Sequence, residues 1–291
     1  MDALKFSEML SDKHITNLKK LKYKYPDDFE EFINILKSSF YEKLPLNDFD
    51  GKNLVYLTSC TGVNLEAVKL LFTAQNSVYA ANAVEEEIVA TSAIESIDFD
   101  RSSVRSIMLG NAPKDNQENR IYGLKLGFEF ISDRHNHITE ENIHKLYMMA
   151  IGNFLEGDDR LRDGEFYRHD DVYVVGGDGV VHRGIGSGKL PGYMKQFVDF
   201  ANADDGINDL LKAAMLHFDI AYLHPYFDGN GRMARLLHMW FLIQKGYEST
   251  LFVPMSSYIE KSRGKYYDAY TLVENNARLA GVTDVTPFLI Y

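Results

Sequence analysis

Twelve consecutive residues, 224–235, carry the side chains best suited to chemistry: His-Pro-Tyr-Phe-Asp-Gly-Asn-Gly-Arg-Met-Ala-Arg. His224 is the only group among them that titrates near neutral pH, which is the property of a general base. Asp228 suits a hard cation such as Mg²⁺. Arg232 and Arg235 lie three positions apart, so on a helix they share one face and can grip anionic oxygens. The stretch therefore predicts a nucleotide-phosphate site with a base beside it.

Two helical patterns flank this stretch and would hold it in place. Apolar residues recur at helical spacing on both sides of it: Leu210, Ala214, Phe218 and Ala221, then Met233, Leu236, Leu237, Trp240 and Phe241. Pro225 ends the first helix, and Gly229 and Gly231 let the backbone turn sharply. The second helix is predicted to begin near Asn230, where unpaired N–H groups and the positive end of the helix dipole attract phosphate.

The same stretch resembles the signature of Fic-domain proteins, His-Pro-Phe-x-Asp-Gly-Asn-Gly-Arg-x-x-Arg. Every specified position matches except one, where Tyr226 keeps the aromatic ring of Phe and adds a hydroxyl. The resemblance covers about 142–275, together with 91–96. It implies a mostly α-helical, Fic-type bundle with a small β-hairpin flap. It also implies AMPylation, which is the transfer of AMP from ATP to a hydroxyl of a target protein with release of pyrophosphate.

The resemblance further implies a role for each residue of the signature. His224 would deprotonate a Ser, Thr or Tyr hydroxyl of the target, and Asp228 would hold Mg²⁺ or Mn²⁺ on the ATP phosphates. The implied nucleotide-binding residues are Asp228, Gly229, Asn230, Gly231, Arg232, Arg235 and Tyr266. Tyr266 and Tyr267 resemble paired tyrosines that stack near the adenine, although a tyrosine pair on a helix equally indicates a buried core.

A second resemblance lies upstream, in residues 91–96, Thr-Ser-Ala-Ile-Glu-Ser. Fic proteins with an N-terminal inhibitory helix carry Ser or Thr, three residues, Glu, and then Gly or Asn; Ser96 departs at the last position. Thr91 and Glu95 are four apart and share a helix face. The resemblance implies that they form the inhibitory motif and that Glu95 pairs with Arg235, which would restrain transfer. The alternative is a surface glutamate at the end of an ordinary amphipathic helix.

Residues 164–185 change from helical to β periodicity. Two β-branched runs joined by Gly and Asp predict a hairpin. In Fic proteins a hairpin at this place is the flap that docks the target segment by strand addition, so Val181 and His182 are implied as docking residues. The Pro-Pro pair that often follows the flap is replaced here by Gly184-Ile185-Gly186-Ser187-Gly188.

Length and composition limit the class of protein. The 291 residues suffice for one large or two modest domains. With 45% hydrophobic and 25% charged residues, the composition is that of a soluble globular protein. A net charge of −11 disfavours general binding to nucleic acids or anionic membranes. The single cysteine, Cys60, and the lack of an apolar signal segment in residues 1–20 favour a cytoplasmic protein.

The chain in order predicts four segments: a helical N-terminal region over 1–80, an inhibitory helix with its connector over 81–122, a Fic catalytic domain over 123–275 and a C-terminal tail over 276–291. Within the first, one or two helices are expected, interrupted at Pro26 and ended before Pro45, and then a loop over 46–53. Residues 54–57 fit either a strand or a helix, and a further helix is expected over 65–79.

The sequence leaves alternatives to AMP addition open. The same site can remove AMP, with Glu95 orienting a water. Doc-like relatives phosphorylate their targets, but their motif lacks the residues present here as Gly231 and Arg235. Another relative is a phosphocholine transferase. A function of a different class is also open, in which the fold serves as a regulated nucleotide-binding or interaction module without catalysis. The intact His224 and Asp228 argue against it. Self-modification and homo-oligomers also remain open.

Overall fold

The structure, a computed structural model, describes residues 1–63, 77–97, 99–176 and 179–291. It divides into two compact units, one of residues 1–63 with 264–291 and one of residues 64–263. The first unit is therefore built from both ends of the sequence. Residues 276–291, predicted as a tail, are part of it, and the four-segment division stays a prediction. Most of the helix predicted over 65–79 lies outside the described residues.

Three helices form the N-terminal part of the first unit: α1 (Ala3–Leu10), α2 (Leu18–Lys24) and α3 (Phe29–Ser39). Asp2 and Asn17 cap the first two by accepting hydrogen bonds from backbone N–H groups of the first turn. Buried apolar side chains from all three helices form one core: Met9, Leu18, Leu21, Tyr25, Phe29, Phe32, Ile33 and Leu36, with Leu57 and Ala280. The region is helical as expected, with an interruption at Pro26, but it holds three helices where one or two were expected.

An antiparallel hairpin follows these helices. Its strands are β1 (Tyr41–Asn47) and β2 (Asn53–Leu57). The loop predicted over 46–53 is wrong at its start, because the strand β1 runs through Pro45 to Asn47. Proline is tolerated there because the pairing register is irregular at this point, so no N–H donor is needed. Of the two interpretations of 54–57, the strand is the correct one.

The C-terminal residues complete the first unit. They form α12 (Arg263–Ala280), which begins at the unit boundary, and α13 (Thr286–Ile290). Between these helices the chain pairs with β2: the N–H of Val55 donates to the carbonyl of Thr283 at 3.0 Å, and the N–H of Val285 donates to the carbonyl of Val55 at 2.9 Å.

The second unit is helical apart from one hairpin among its described residues. Its helices are α4 (Ser77–Ile94), α5 (Arg101–Met108), α6 (Asn116–Ser132), α7 (Glu140–Ala150), α8 (Leu190–Asn202), α9 (Asp209–Leu223), α10 (Asn230–Gln244) and α11 (Met255–Lys261). The hairpin pairs β3 (Tyr173–Gly176) with β4 (Gly179–Arg183). The mostly α-helical class with a small hairpin is confirmed, and the hairpin of β1 and β2 is an addition to it.

Close helix contacts support the segment between α9 and α10. These two helices pack against each other, and α10 also packs against α6. Helix α6 in turn approaches α7 closely, because a Cβ at Gly127 would lie only 2.9 Å from the Cβ of Ala150. Thr139 caps α7, as its hydroxyl accepts from the N–H of Asn142 at 3.2 Å. Within the described ranges, no helix combines the length and apolar character that a bilayer span requires.

Candidate active site

His224 lies at the C-terminal end of α9 in a left-handed backbone conformation, with φ of +55°. This conformation is uncommon for a non-glycine residue and ends the helix. Its Nδ1 lies 3.1 Å from the carbonyl oxygen of Ala221. Because a carbonyl can only accept, Nδ1 carries the proton and Nε2 keeps its lone pair. The half-buried ring therefore presents one basic nitrogen.

The protonation state of His224 fits this arrangement. Burial lowers the pKa of the imidazole from about 6.5 to about 4. The hydrogen bond to Ala221 and the carboxylate of Glu95 raise that pKa, whereas His182 and Arg168 lower it further. At neutral pH the ring is uncharged, as a general base must be.

The loop between α9 and α10 is held by its own side chains. The amide of Asn230 donates to the carbonyl of Tyr226 at 2.8 Å and accepts from the N–H of Tyr226 at 3.0 Å. The ring of Tyr226 is fully buried and stacks on Tyr147, with ring centroids 3.6 Å apart and planes inclined by 4°. The Asn230 side chain therefore braces the loop, and its contact with a nucleotide stays a prediction.

Helix α10 begins at Asn230, as predicted, and Gly229 precedes it in a left-handed conformation with φ of +87°. A Cβ at Gly229 would lie 2.6 Å from the side chain of Ile151, so the position requires glycine for space as well. No described side chain caps α10. Its first-turn N–H groups, including that of Gly231, are thus the donors that a phosphate would meet at the positive end of the dipole.

Asp228 and Arg232 form an ion pair at this helix end. The carboxylate of Asp228 accepts from the N–H of Gly229 at 2.6 Å and from Nη2 of Arg232 at 2.9 Å. Arg232 is buried, and its Nε finds no hydrogen-bond partner among the described residues. A buried N–H without an acceptor is costly, so this guanidinium is suited to receive an anionic oxygen.

Asp228 is the predicted metal ligand. In the described part of the chain, no group of three or more His, Cys, Asp or Glu side chains could hold a metal ion. The Asp228 side chain is 47% exposed, so its carboxylate is accessible. One carboxylate fits a Mg²⁺ ion that takes most of its other ligands from nucleotide phosphates and water.

Arg235 is buried at 1% exposure and held by residues at the end of α4 and just after it. Its Nε donates to the hydroxyl of Thr91 at 2.7 Å, and its Nη2 donates to the carboxylate of Glu95 at 2.5 Å. A Cβ at Gly231 would lie 2.5 Å from that carboxylate, so glycine is needed for the approach. Ser96, just after the helix, adopts φ of +57°, the conformation that Gly or Asn adopts more readily. The contact expected between Glu95 and Arg235 is present.

Arg168 is not among the residues predicted from the sequence, yet it contacts the backbone of the predicted base, His224. It is buried at 2% exposure, and its guanidinium donates only to backbone carbonyls in the contacts that the structure describes. These belong to His224, Asp170, Ile185 and Leu223. An isolated arginine carries no local signal of such burial, since the carbonyls come from segments that only the fold brings together.

The predicted flap lies beside the base. His182 in β4 donates from Nε2 to the carbonyl of Tyr222 at 2.7 Å, and its ring centroid is 6.1 Å from that of His224. Val181 also lies in β4. Among the described residues the sheet has two strands, each of which is an edge strand. The docking of a target segment on Val181 and His182 stays a prediction.

Tyr266 lies in the first unit, on α12. Its ring is 3% exposed and packs with aromatic residues of that unit, among them Phe288 and Tyr291. Its hydroxyl lies 3.2 Å from that of Tyr270. A place in the core, one of the two interpretations of the tyrosine pair, accounts for these contacts, and the stacking on adenine stays a prediction.

The part of the chain that contains the site is similar to known proteins. Residues 137–242 match the model of the Fic/DOC family. The matched segment includes the whole stretch from His224 to Arg235. The curated proteins named protein adenylyltransferase Fic from Drosophila willistoni and Culex quinquefasciatus are each 29% identical to it, over 65% of this chain and 34% of theirs. The chain thus spans about a third of the length of these relatives.

Solved structures show the same fold. A Fic family protein from Desulfovibrio desulfuricans G20 matches with a TM-score of 0.60 and 19% identity, covering 78% of this chain and 65% of that chain. A Fic domain containing signaling protein from Bacteroides thetaiotaomicron VPI-5482 matches with a TM-score of 0.53 and 20% identity, covering 79% of this chain and 90% of that chain. The predicted Fic-type helical fold is confirmed.

Proposed function

We propose that the protein AMPylates a target protein, transferring AMP from ATP to a side-chain hydroxyl. The observation that carries this proposal is the arrangement on one short loop. A neutral imidazole with a free Nε2 ends α9, and four residues later Asp228 precedes the phosphate-binding start of α10. The relatives named protein adenylyltransferase Fic support the same chemistry.

In the proposed reaction, Nε2 of His224 takes the proton of a Ser, Thr or Tyr hydroxyl, and the oxygen attacks the α-phosphorus of ATP. The bond from that phosphorus to the bridging oxygen breaks, and pyrophosphate leaves. Arg232, Arg235 and the N–H group of Gly231 bind the phosphates, and the N–H of Gly229 joins them once it leaves the carboxylate of Asp228. Catalysis is then mostly positioning and charge stabilisation.

Asp228 would hold Mg²⁺ or Mn²⁺ together with the nucleotide. The bound ion neutralises phosphate charge, which favours attack by an oxygen nucleophile. Both carboxylate oxygens of Asp228 already accept a hydrogen bond, one from the N–H of Gly229 and the other from Arg232. Cation binding at Asp228 therefore competes with the ion pair to Arg232.

The same site carries its own restraint. Glu95 neutralises Arg235 and occupies the space beside Gly231. A γ-phosphate directed at Arg235 would meet this carboxylate and be repelled. We therefore expect wild-type protein to be nearly inactive in AMP transfer until Glu95 leaves Arg235.

One observation favours a second candidate, removal of AMP. The carboxylate of Glu95 is close enough to His224 to raise the pKa of its imidazole. A carboxylate beside the base can orient a water for attack on the phosphorus of an AMP-modified side chain. In that reaction Glu95 would be required rather than inhibitory.

The deciding experiment compares ATP labelled at the α-phosphate with ATP labelled at the γ-phosphate, using cell lysate and purified protein. The Glu95→Gly variant should transfer only the α label, and mass spectrometry should find an AMP adduct. Adding His224→Ala should abolish transfer while ATP binding persists. Transfer of the γ label would instead show that the protein phosphorylates its target. A phosphocholine adduct would show a phosphocholine transferase. Nucleotide binding without any adduct would show a binding module. Release of AMP from modified protein, lost in Glu95→Gly, would support removal.

A further inference from the structure

The guanidinium of Arg168 joins three segments of the second unit. Its Nε donates to the carbonyl of His224 at 2.7 Å and its Nη1 to that of Asp170 at 2.7 Å. Its Nη2 donates to the carbonyl of Ile185, just after β4, and lies 3.5 Å from that of Leu223. One rigid, planar group thus fixes the end of α9, the chain before β3 and the exit of the hairpin.

Two of these acceptors explain why a positively charged side chain is favourable at this place. The carbonyls of Leu223 and His224 are the last ones of α9, where unpaired oxygens and the helix dipole are negative. A buried cation there satisfies oxygens that the left-handed turn of His224 leaves outside the helix. The main chain is tied in the same way, since the N–H of Arg168 donates to the carbonyl of Pro225 at 3.0 Å.

Gly184 makes the close approach of the hairpin exit possible. A Cβ at this position would lie 2.8 Å from Nη2 of Arg168 and 3.0 Å from Cβ of His224. A side chain at 184 would therefore displace the arginine, the base or the hairpin exit. The hairpin exit can therefore be held firmly although it has glycines in place of a Pro-Pro pair, because Arg168 holds it.

We propose that Arg168 is a positioning residue that sets the direction of the His224 imidazole together with the position of the hairpin exit. The inference rests on the proposed role of His224 as base. It follows that a change at Arg168 should slow the chemical step. The affinity for ATP should change little, because none of the groups that Arg168 contacts belongs to the predicted phosphate-binding residues.

The kinetic test uses the Glu95→Gly protein as parent, with Arg168→Lys, Arg168→Met and Gly184→Ala added singly. Lysine keeps the charge but cannot reach the separate carbonyls with one ammonium group. We expect kcat to fall about 10- to 100-fold in each variant, since a small misplacement of a catalytic group has effects of that order. KM for ATP should stay within about twofold. The control is Arg134→Met, because Arg134 is exposed and pairs with Glu248, and it should match the parent.

A titration of the His224 ring by NMR supplies a second readout, which needs no activity. The charged and titratable groups that act on this ring are Glu95 just after α4, His182 from β4 and Arg168 itself, and the Glu95→Gly parent lacks the first of them. Arg168→Met removes a positive charge that lowers the pKa of His224, so that pKa should rise. In Arg168→Lys, which keeps a charge, it should rise less.

The outcomes separate the inference from the proposed function. An inactive Glu95→Gly parent would contradict the function, while the titration, which needs no activity, would still decide the inference. Arg168 variants with the kcat of the parent, or with a loss confined to KM, would overturn it. So would a pKa of His224 that is the same in both arginine variants as in the parent. If Arg168→Met does not fold, Arg168→Lys and Gly184→Ala still decide.

Discussion

Two arginines of the second unit are buried to almost the same extent, Arg168 at 2% and Arg235 at 1% exposure, but their partners differ in kind. The described partners of Arg168 are backbone carbonyls. The short contacts of Arg235 go to the side chains of Thr91 in α4 and Glu95 just after it, and its contact with the carbonyl of Thr91 is longer, at 3.5 Å. Carbonyls belong to the fold and stay in place, whereas a side chain can give way to a ligand. We call Arg168 and His224 the fixed base half of the proposed site, and Asp228, Arg232 and Arg235 its exchangeable phosphate half.

Burial explains why the guanidinium of Arg235 needs an anionic partner whether or not nucleotide is bound. A buried guanidinium without an acceptor is strongly unfavourable, so loss of Glu95 leaves Arg235 in need of another anion. A triphosphate is such an anion. The contact that restrains the site in the proposed mechanism therefore also prepares Arg235 to bind nucleotide once the restraint is released.

The largest expected effect concerns the phosphate half. Asp228→Ala should lower AMP transfer by Glu95→Gly protein at least ~100-fold, because a cation on the phosphates supplies several kcal/mol of charge stabilisation. Chelation by EDTA should have the same effect on the parent. The matched control is Asp133→Ala, since Asp133 is an exposed aspartate that also accepts from a nearby backbone N–H. Undiminished transfer in excess EDTA would contradict the metal role.

Release of Arg235 should have the next largest effect. Glu95→Gly should raise AMP transfer, including self-labelling, by ~10- to 100-fold, which corresponds to the ~1.5–3 kcal/mol of a hydrogen bond to a charged group. The measurement is incorporation of the α label, and the double variant with His224→Ala should show no gain. A Glu95→Gly protein no more active than wild type would show that the pair is structural only.

Thr91 and Ser92 provide a graded control for this release. Thr91→Val removes the hydroxyl that accepts from Arg235 but leaves Glu95 in place, so a smaller gain is expected than in Glu95→Gly. Ser92→Ala removes a hydroxyl that donates to the carbonyl of Ile88 within α4. It should leave transfer unchanged.

The sequence predicted the exchangeable half better than the fixed half. The spacing of His224, Asp228, Arg232 and Arg235 places the helix start at Asn230 and these side chains around it, because local turn chemistry decides both. The pairing of Glu95 with Arg235 came from a resemblance, since no local rule joins residues so far apart. The Arg168 contacts came from neither source. They depend on backbone carbonyls whose positions exist only after α9, the hairpin and the loop have packed.

The direction of side chains was a second feature that the sequence could not predict. Asn230 has the right place for a phosphate contact, but its amide binds the backbone of Tyr226 in the loop. In the first unit, Pro45 was taken as a boundary, whereas it lies in an irregular part of β1 where its missing N–H has no cost. In both cases the residue type left two outcomes open, and packing around it selected one.

The pH dependence of transfer offers a smaller effect that tests the fixed half. The neutral form of His224 is present above its folded pKa of about 4, so transfer by Glu95→Gly should fall only as pH drops toward that value. Removal of the Glu95 carboxylate lowers the pKa further. At pH 5.5 the rate should stay within about twofold of that at pH 7.5, whereas an unshifted histidine would lose about tenfold. An acid limb centred near pH 6.5 would show that burial does not hold the ring neutral.

The same shift affects stability. Between pH 6.5 and about 4 the unfolded chain binds a proton at His224 that the folded protein does not, so this residue's contribution to stability is complete above pH 6.5 and is lost as pH falls toward 4. His224→Ala should therefore weaken the dependence of the unfolding midpoint on pH in this window.

The smallest expected effect concerns the one position where the signature is not matched. The hydroxyl of Tyr226 is fully buried and finds no hydrogen-bond partner among the described residues, while its ring stacks on Tyr147. Tyr226→Phe keeps the stack and removes an unsatisfied polar group, so the free energy of unfolding should rise by about 1 kcal/mol. Tyr147→Phe is the matched control, because its hydroxyl donates weakly to the carbonyl of Asp228 at 3.4 Å and its loss should stabilise nothing. Since the base half is fixed by backbone contacts, transfer should be unchanged in Tyr226→Phe. Denaturant unfolding and α-label incorporation measure the two quantities, and a loss of activity in Tyr226→Phe would show that this hydroxyl takes part in the site.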